Sequence, residues 1–117
     1  MERKKPEIVA PAGTIEAFHA AIDAGADAIY CGTSEFNARL RARNIPLKAL
    51  SFLVPYARSK NVKTFLTLNT LIKQNEIERI LNVLYQATHI GVDAIIVQDL
   101  GLARLARHHF PRLRLHA

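Results

Sequence analysis

The chain has 117 residues, half of them hydrophobic and 22% charged, which suits one small domain with a packed core and excludes disorder or low complexity. A net charge of +6 and a pI near 9.9 favour anionic partners such as nucleic acid, phosphates or carboxylates. No apolar run can span a bilayer and the charged start carries no signal region, so the expected location is the cytoplasm with no membrane partner; the one cysteine, Cys31, excludes an internal disulfide and a cysteine-only metal site.

Glu7 to Ala10 is a short apolar run closed by Pro11-Ala12-Gly13, read as a buried strand entering a tight loop. Thr14 is a good N-cap, and Ile15, Phe18, Ala21 and Ile22 follow at helical spacing until Gly25 stops the helix. Ala28 to Cys31 reads as the second strand, ended by Gly32. Residues 33–45 read as a long loop. Pro46 can open the second helix; Pro55 inside it predicts a kink or a broken turn, and Asn61 can end it.

Lys63 to Leu68 is rich in strand formers and is followed by Asn69 and Thr70. Asn75 and Glu78 have capping-box spacing for a third helix reaching about Ile90, with Gly91 as its stop. Ala94 to Val97 reads as the fourth strand, ended by Gln98-Asp99. Gly101 to Phe110 reads as the fourth helix, and Leu113 to Ala117 as the start of a fifth strand.

Ala24-Gly25-Ala26-Asp27-Ala28-Ile29 matches Ile90-Gly91-Val92-Asp93-Ala94-Ile95 at an offset of 66 residues. Two strand–helix units of about 33 residues each give that offset, close to the average unit of an eight-fold barrel. The pair therefore marks one helix-to-strand corner used twice, and Asp27 and Asp93 are expected to be structural.

Alternating strands and helices imply an α/β fold with a parallel sheet and right-handed crossovers. No Gly-x-Gly-x-x-Gly follows the first strand, which disfavours a dinucleotide-binding sheet. The expected architecture is the first half of a TIM-type (β/α)8 barrel, with residues 1–117 as one partial barrel domain cut from a longer protein. Such a half-barrel is expected to self-associate through its edge strands and through inward apolar side chains such as Ile8, Ile29, Leu66 or Ile95.

Ligands of strand–helix folds bind at the carboxyl ends of the strands. The rule selects Gly13 after the first strand and Gly32, Phe36, Asn37 and Arg39 after the second. It then selects Asn69 after the third strand, Gln98 and Asp99 after the fourth, and His116 on the fifth. Asn69, Gln98, Asp99 and His116 are polar groups ending apolar strands and are the candidates for catalysis, although Asp99 could equally N-cap the fourth helix. Arg39, Arg41 and Arg43 alternate in the long loop. Their guanidinium forks suit an anionic substrate, and Phe36 could stack on a ring. The basic run from Arg104 to Arg114 reads as a solvated helix end. Its adjacent His108 and His109 make a poor metal pair.

Ala10-Pro11-Ala12-Gly13, Tyr30-Cys31-Gly32 with Phe36-Asn37-Ala38-Arg39, Leu68-Asn69-Thr70, Val97-Gln98-Asp99-Leu100-Gly101 and His116-Ala117 occur in one order and spacing. In these motifs the chain resembles the collagenase-like peptidase family of unassigned catalytic type, number thirty-two in that class. The resemblance implies the amino-terminal part of a barrel domain. It implies a parent enzyme that takes part in hydroxylating transfer or ribosomal RNA bases, or ubiquinone precursors, with an iron–sulfur cluster. A peptidase acting on collagen-like peptides is the alternative, and a non-catalytic binding half-barrel a third. The cluster cysteines of the family lie beyond these motifs, so no cofactor is expected within this stretch.

Overall fold

The computed structural model describes residues 7–32, 45–68, 77–97 and 99–116. In chain order these form β1 (Val9–Pro11), α1 (Ile15–Asp23), β2 (Ala28–Gly32), α2 (Leu47–Ser59), β3 (Lys63–Leu68), α3 (Ile77–Ile90), β4 (Ala94–Val97), α4 (Leu100–His109) and β5 (Leu115–His116). The strands make one sheet in the order β1-β2-β3-β4-β5, and each neighbouring pair is parallel. Sequential parallel order with a helix in every connection is the arrangement of a partial TIM-type barrel.

The helices start and stop where local chemistry dictates. Thr14 Oγ1 accepts the Ala17 N–H at 3.0 Å and caps α1. Pro46 precedes the first residue of α2, where a missing N–H costs nothing. The helix continues unbroken through Pro55, an exposed position, so the expected break does not occur there. Of the capping box, Glu78 lies in the first turn of α3, and Asn75 lies outside the described residues.

All four helices bury one stripe against one face of the sheet. Phe18 of α1, Leu50 and Val54 of α2, Ile80 and Leu84 of α3 and Leu102 of α4 are all 1% exposed or less. They share one core cluster with Ile29, Cys31, Leu66, Leu68, Ile95 and Val97 of the strands. Successive strand residues point to opposite faces. Tyr30, Phe65, Thr67, Ile96 and His116 therefore occupy the other face, and each is half-buried or exposed. This corrects the sequence expectation: Ile29, Leu66 and Ile95 are each 0% exposed beneath the helices and do not line the inner face. The phase of the alternation is fixed by which residues the helices cover, and hydrophobicity alone does not reveal it where both faces are apolar.

The repeated corners are built alike. Gly25 and Gly91 hold φ of +89° and +92°, the left-handed conformation that ends a helix. Ala26 and Val92 then plug into the core. The Asp27 N–H donates to the Ile8 carbonyl at 2.8 Å while an Asp27 carboxylate oxygen accepts the Ile8 N–H at 2.8 Å. Asp93 does the same with Thr64, at 2.8 and 2.7 Å. Each aspartate thus closes the start of a strand against its neighbour, as the structural reading expects. Arg58 of α2 adds hydrogen bonds to the Gly91 carbonyl and, at 3.4 Å, to Asp93. A third corner has Asn61 at φ +61° and the buried Val62, with Lys63 in place of the aspartate.

Candidate functional site at the carboxyl ends of the strands

Because every strand runs the same way, the sequence candidates that are described gather at one end of the sheet. Gly13 lies in the turn between β1 and α1, half-buried. The turn is held to β2 by the N–H of the buried Ala12, which donates to the Tyr30 carbonyl at 3.0 Å. Gly32 ends β2, and its carbonyl accepts the Ile45 N–H at 3.0 Å, which fixes how the chain re-enters the fold before α2. Asp99 follows β4. One of its carboxylate oxygens accepts the N–H groups of Gly101 and Leu102 at 2.7 and 3.2 Å and so caps α4. Of its two sequence readings, the capping one is therefore realised in the geometry. His116 ends β5 with its ring exposed on the face away from the helices. Asn69, Gln98, Phe36, Asn37, Arg39, Arg41 and Arg43 lie outside the described residues.

The strand side chains beside these ends form two layers on the open face. Tyr30 and Phe65 are register partners in the lower layer, with Ala94 beyond Phe65. Gly32, Thr67, Ile96 and His116 follow one another in register in the upper layer. The Thr67 hydroxyl donates to the Cys31 carbonyl at 3.2 Å, so it lies down along β2. The Phe65 and His116 rings meet edge-to-face with centroids 5.2 Å apart and planes at 69°. Tyr30 is 37% exposed. Sequence reasoning did not place Tyr30, Phe65 and Ile96 on this face because it followed polar residues in the loops. The signal that could have found them is the strict alternation of Lys63–Leu68, once Leu66 and Leu68 are assigned to the helices.

Cys31 lies on the opposite face, 2% exposed in the helix-covered core, and burial pushes its thiol up to about 12. A thiol so held stays protonated at neutral pH and is neither a nucleophile nor a ready metal ligand. An iron–sulfur cluster is held by several thiolates. The residues present here do not fit one: Cys31 is the chain's one cysteine, and it is buried in the core cluster.

Arg107, His108 and His109 make the last turn of α4, where positive charge meets the helix carbonyls favourably, and all three are exposed. A groove beside β5 joins His116 to Arg104 and Arg107 over the apolar floor of Val97, Ala103 and Leu115. Among the described residues, no helix is long and apolar enough to cross a membrane.

Comparison with known proteins agrees with this architecture. Over 111 residues the chain is 39% identical to an uncharacterized protease of Methanocaldococcus jannaschii, covering 95% of this chain and 27% of that protein. It is 42% identical over 114 residues to the 23S rRNA 5-hydroxycytidine synthase of Escherichia coli, covering 95% of this chain and 16% of that one. It is 39% identical over 96 residues to the collagenase of Porphyromonas gingivalis, covering 81% and 23%. The chain thus spans about a quarter or less of the length of these relatives. The solved structure of a U32 peptidase superposes with a TM-score of 0.73 at 14% identity, over 98% of this chain and 50% of that one, a likeness of fold. The Peptidase family U32 profile matches residues 13–117, which hold Gly13 of the first strand-end motif and all of the other four: the chain belongs to peptidase family U32.

Proposed function

We propose that the protein carrying this chain takes part in hydroxylating a base of ribosomal or transfer RNA, with the carboxyl ends of β1 to β5 forming part of the substrate site. The observation that carries this reading is the 42% identity to a ribosomal RNA hydroxycytidine synthase. Relatives named as tRNA hydroxylation proteins, at 30% and 29% identity, support it. The net charge of +6 suits a polyanion, and the half-exposed rings of Tyr30 and Phe65 suit a planar substrate. In this reading Asn69, Gln98 and His116 contact the substrate while Arg39, Arg41 and Arg43 hold phosphates. An RNA substrate places the protein in the cytoplasm. Any iron–sulfur cluster belongs to parts of the protein outside this chain.

The reading is tested by deleting the gene and analysing the nucleosides of total RNA by mass spectrometry. The expected result is loss of one hydroxylated pyrimidine, restored by the intact gene but not by an Asn69→Ala, Gln98→Ala variant of unchanged melting temperature. An unchanged nucleoside profile would return the choice to the second reading, a peptidase, which the identity to a collagenase favours. Gelatin hydrolysis by the purified protein would then be the expected activity.

A further inference from the structure

We infer that Tyr30 and Phe65 form the floor of a stacking site for a single planar heterocycle, a flipped-out pyrimidine base, with His116 at its rim. This inference rests on the RNA reading and names the part of the site that receives the base.

The two rings come from neighbouring strands at one register position, on the face the helices do not cover. The next residues toward the carboxyl end on that face are Gly32 and Thr67, also register partners. Glycine offers no side chain there, and the threonine hydroxyl is turned down onto the Cys31 carbonyl. Two large rings therefore lie beneath two small residues at the end of the sheet where ligands of this fold bind. The far wall is Ile96 beside His116. Only Ala94 stands at the register of Phe65 on the strand between, so the His116 ring reaches Phe65 across it at 5.2 Å.

The occupant follows from this chemistry. Aromatic floors bind bases through their π-faces, and a base must leave its stack before its ring can be modified. An extended peptide instead needs unpaired backbone N–H and C=O groups along a strand edge. Here the rings lie on β2 and β3, which are paired on both sides.

The test uses the intact protein that carries this chain, titrated with cytidine 5′-monophosphate, ribose 5-phosphate and a proline-glycine tripeptide. Cytidine monophosphate is expected to bind more tightly than the other two. Phe65→Leu keeps apolar bulk but removes the π-face. It is expected to weaken cytidine monophosphate roughly five- to 150-fold, the range of one lost stacking contact. Ribose phosphate binding should not change. Phe65→Tyr keeps the ring and should bind as the parent does, which separates loss of stacking from loss of fold; Tyr30→Leu should behave like Phe65→Leu. Equal affinity for the base and abasic probes, equal loss of both in Phe65→Leu, or preference for the tripeptide would overturn the site. RNA hydroxylation that persists while base binding ignores Phe65 refutes the stacking site alone. Ring-dependent base binding without hydroxylation refutes the reaction and leaves the site standing.

Discussion

The two faces of the sheet are built from different residues and end in opposite states. Ile29, Leu66, Leu68 and Ile95 on one face are 0% exposed beneath four helices. Tyr30, Phe65, Ile96 and His116 on the other remain half-buried or exposed. The helices decide the difference, because each presents one apolar stripe and covers one side only. The covered face is fixed by packing, so its side chains serve stability. The open face is the side that a partial barrel turns inward, and the helices of this chain leave its rings uncovered.

The largest expected effect breaks this comparison directly. Leu66→Ala removes a fully buried side chain between β3 and the helices and should cost about 2–5 kcal/mol of unfolding free energy. Phe65→Ala, one residue away, removes a larger but only half-buried ring and should cost roughly 1–2 kcal/mol. Urea denaturation of both variants measures the two losses. Equal losses would mean that the open face is covered in solution by another part of the protein or by a second copy.

A smaller effect separates the two copies of the repeated corner. Asp27 and Asp93 make the same backbone bonds, yet their partners differ in burial: Ile8 is 59% exposed and Thr64 is 0% exposed. Water can replace the Asp27 carboxylate on the Ile8 N–H but not the Asp93 carboxylate on the Thr64 N–H. Asp93→Ala should therefore cost about 1–3 kcal/mol, the penalty of a buried unpaired donor, and Asp27→Ala less than about 1 kcal/mol. Thermal melts of the pair give the ordering; a reversed order would show that the outer corner, not the inner one, carries the sheet.

Much of this was legible in the chain itself. The bounds of β3 and β4 follow from apolar runs with abrupt stops, Asn61 before one and Gly91 before the other. The 66-residue repeat correctly signalled a corner used twice. It missed the third use at Asn61, because asparagine replaces the glycine and Lys63 the aspartate, so only φ and the buried Val62 reveal the kinship. The candidate site is harder to read from the chain. Polar residues at strand ends stand out in a sequence, and Asp99 illustrates the risk, since the same pattern serves a helix cap. Which apolar strand residues face the ligand side depends on the phase of each strand against its helices, a tertiary fact. That is why Ile29 and Leu66 were expected on the inner face that Tyr30 and Phe65 occupy.

The last of these effects sharpens the account of the covered face through the buried thiol of Cys31. The unperturbed thiol titrates at 9.0, and burial raises it to about 12. Desolvation favours the neutral thiol, so the folded chain keeps a proton that the unfolded chain releases. The stability tied to that proton is fully present below pH 9.0 and is lost as pH rises toward about 12. The slope for one proton is about 1.4 kcal/mol per pH unit, so about 1.4 kcal/mol should be gone one unit above the ordinary thiol value. Lysine and tyrosine titration also acts in this range, but Cys31→Ala shares it, and the difference between parent and variant isolates the thiol. Urea midpoints of both, measured from neutral pH up to about one unit above the thiol value, should converge by that amount. A constant gap would show that Cys31 ionises in the folded chain as readily as in the unfolded one.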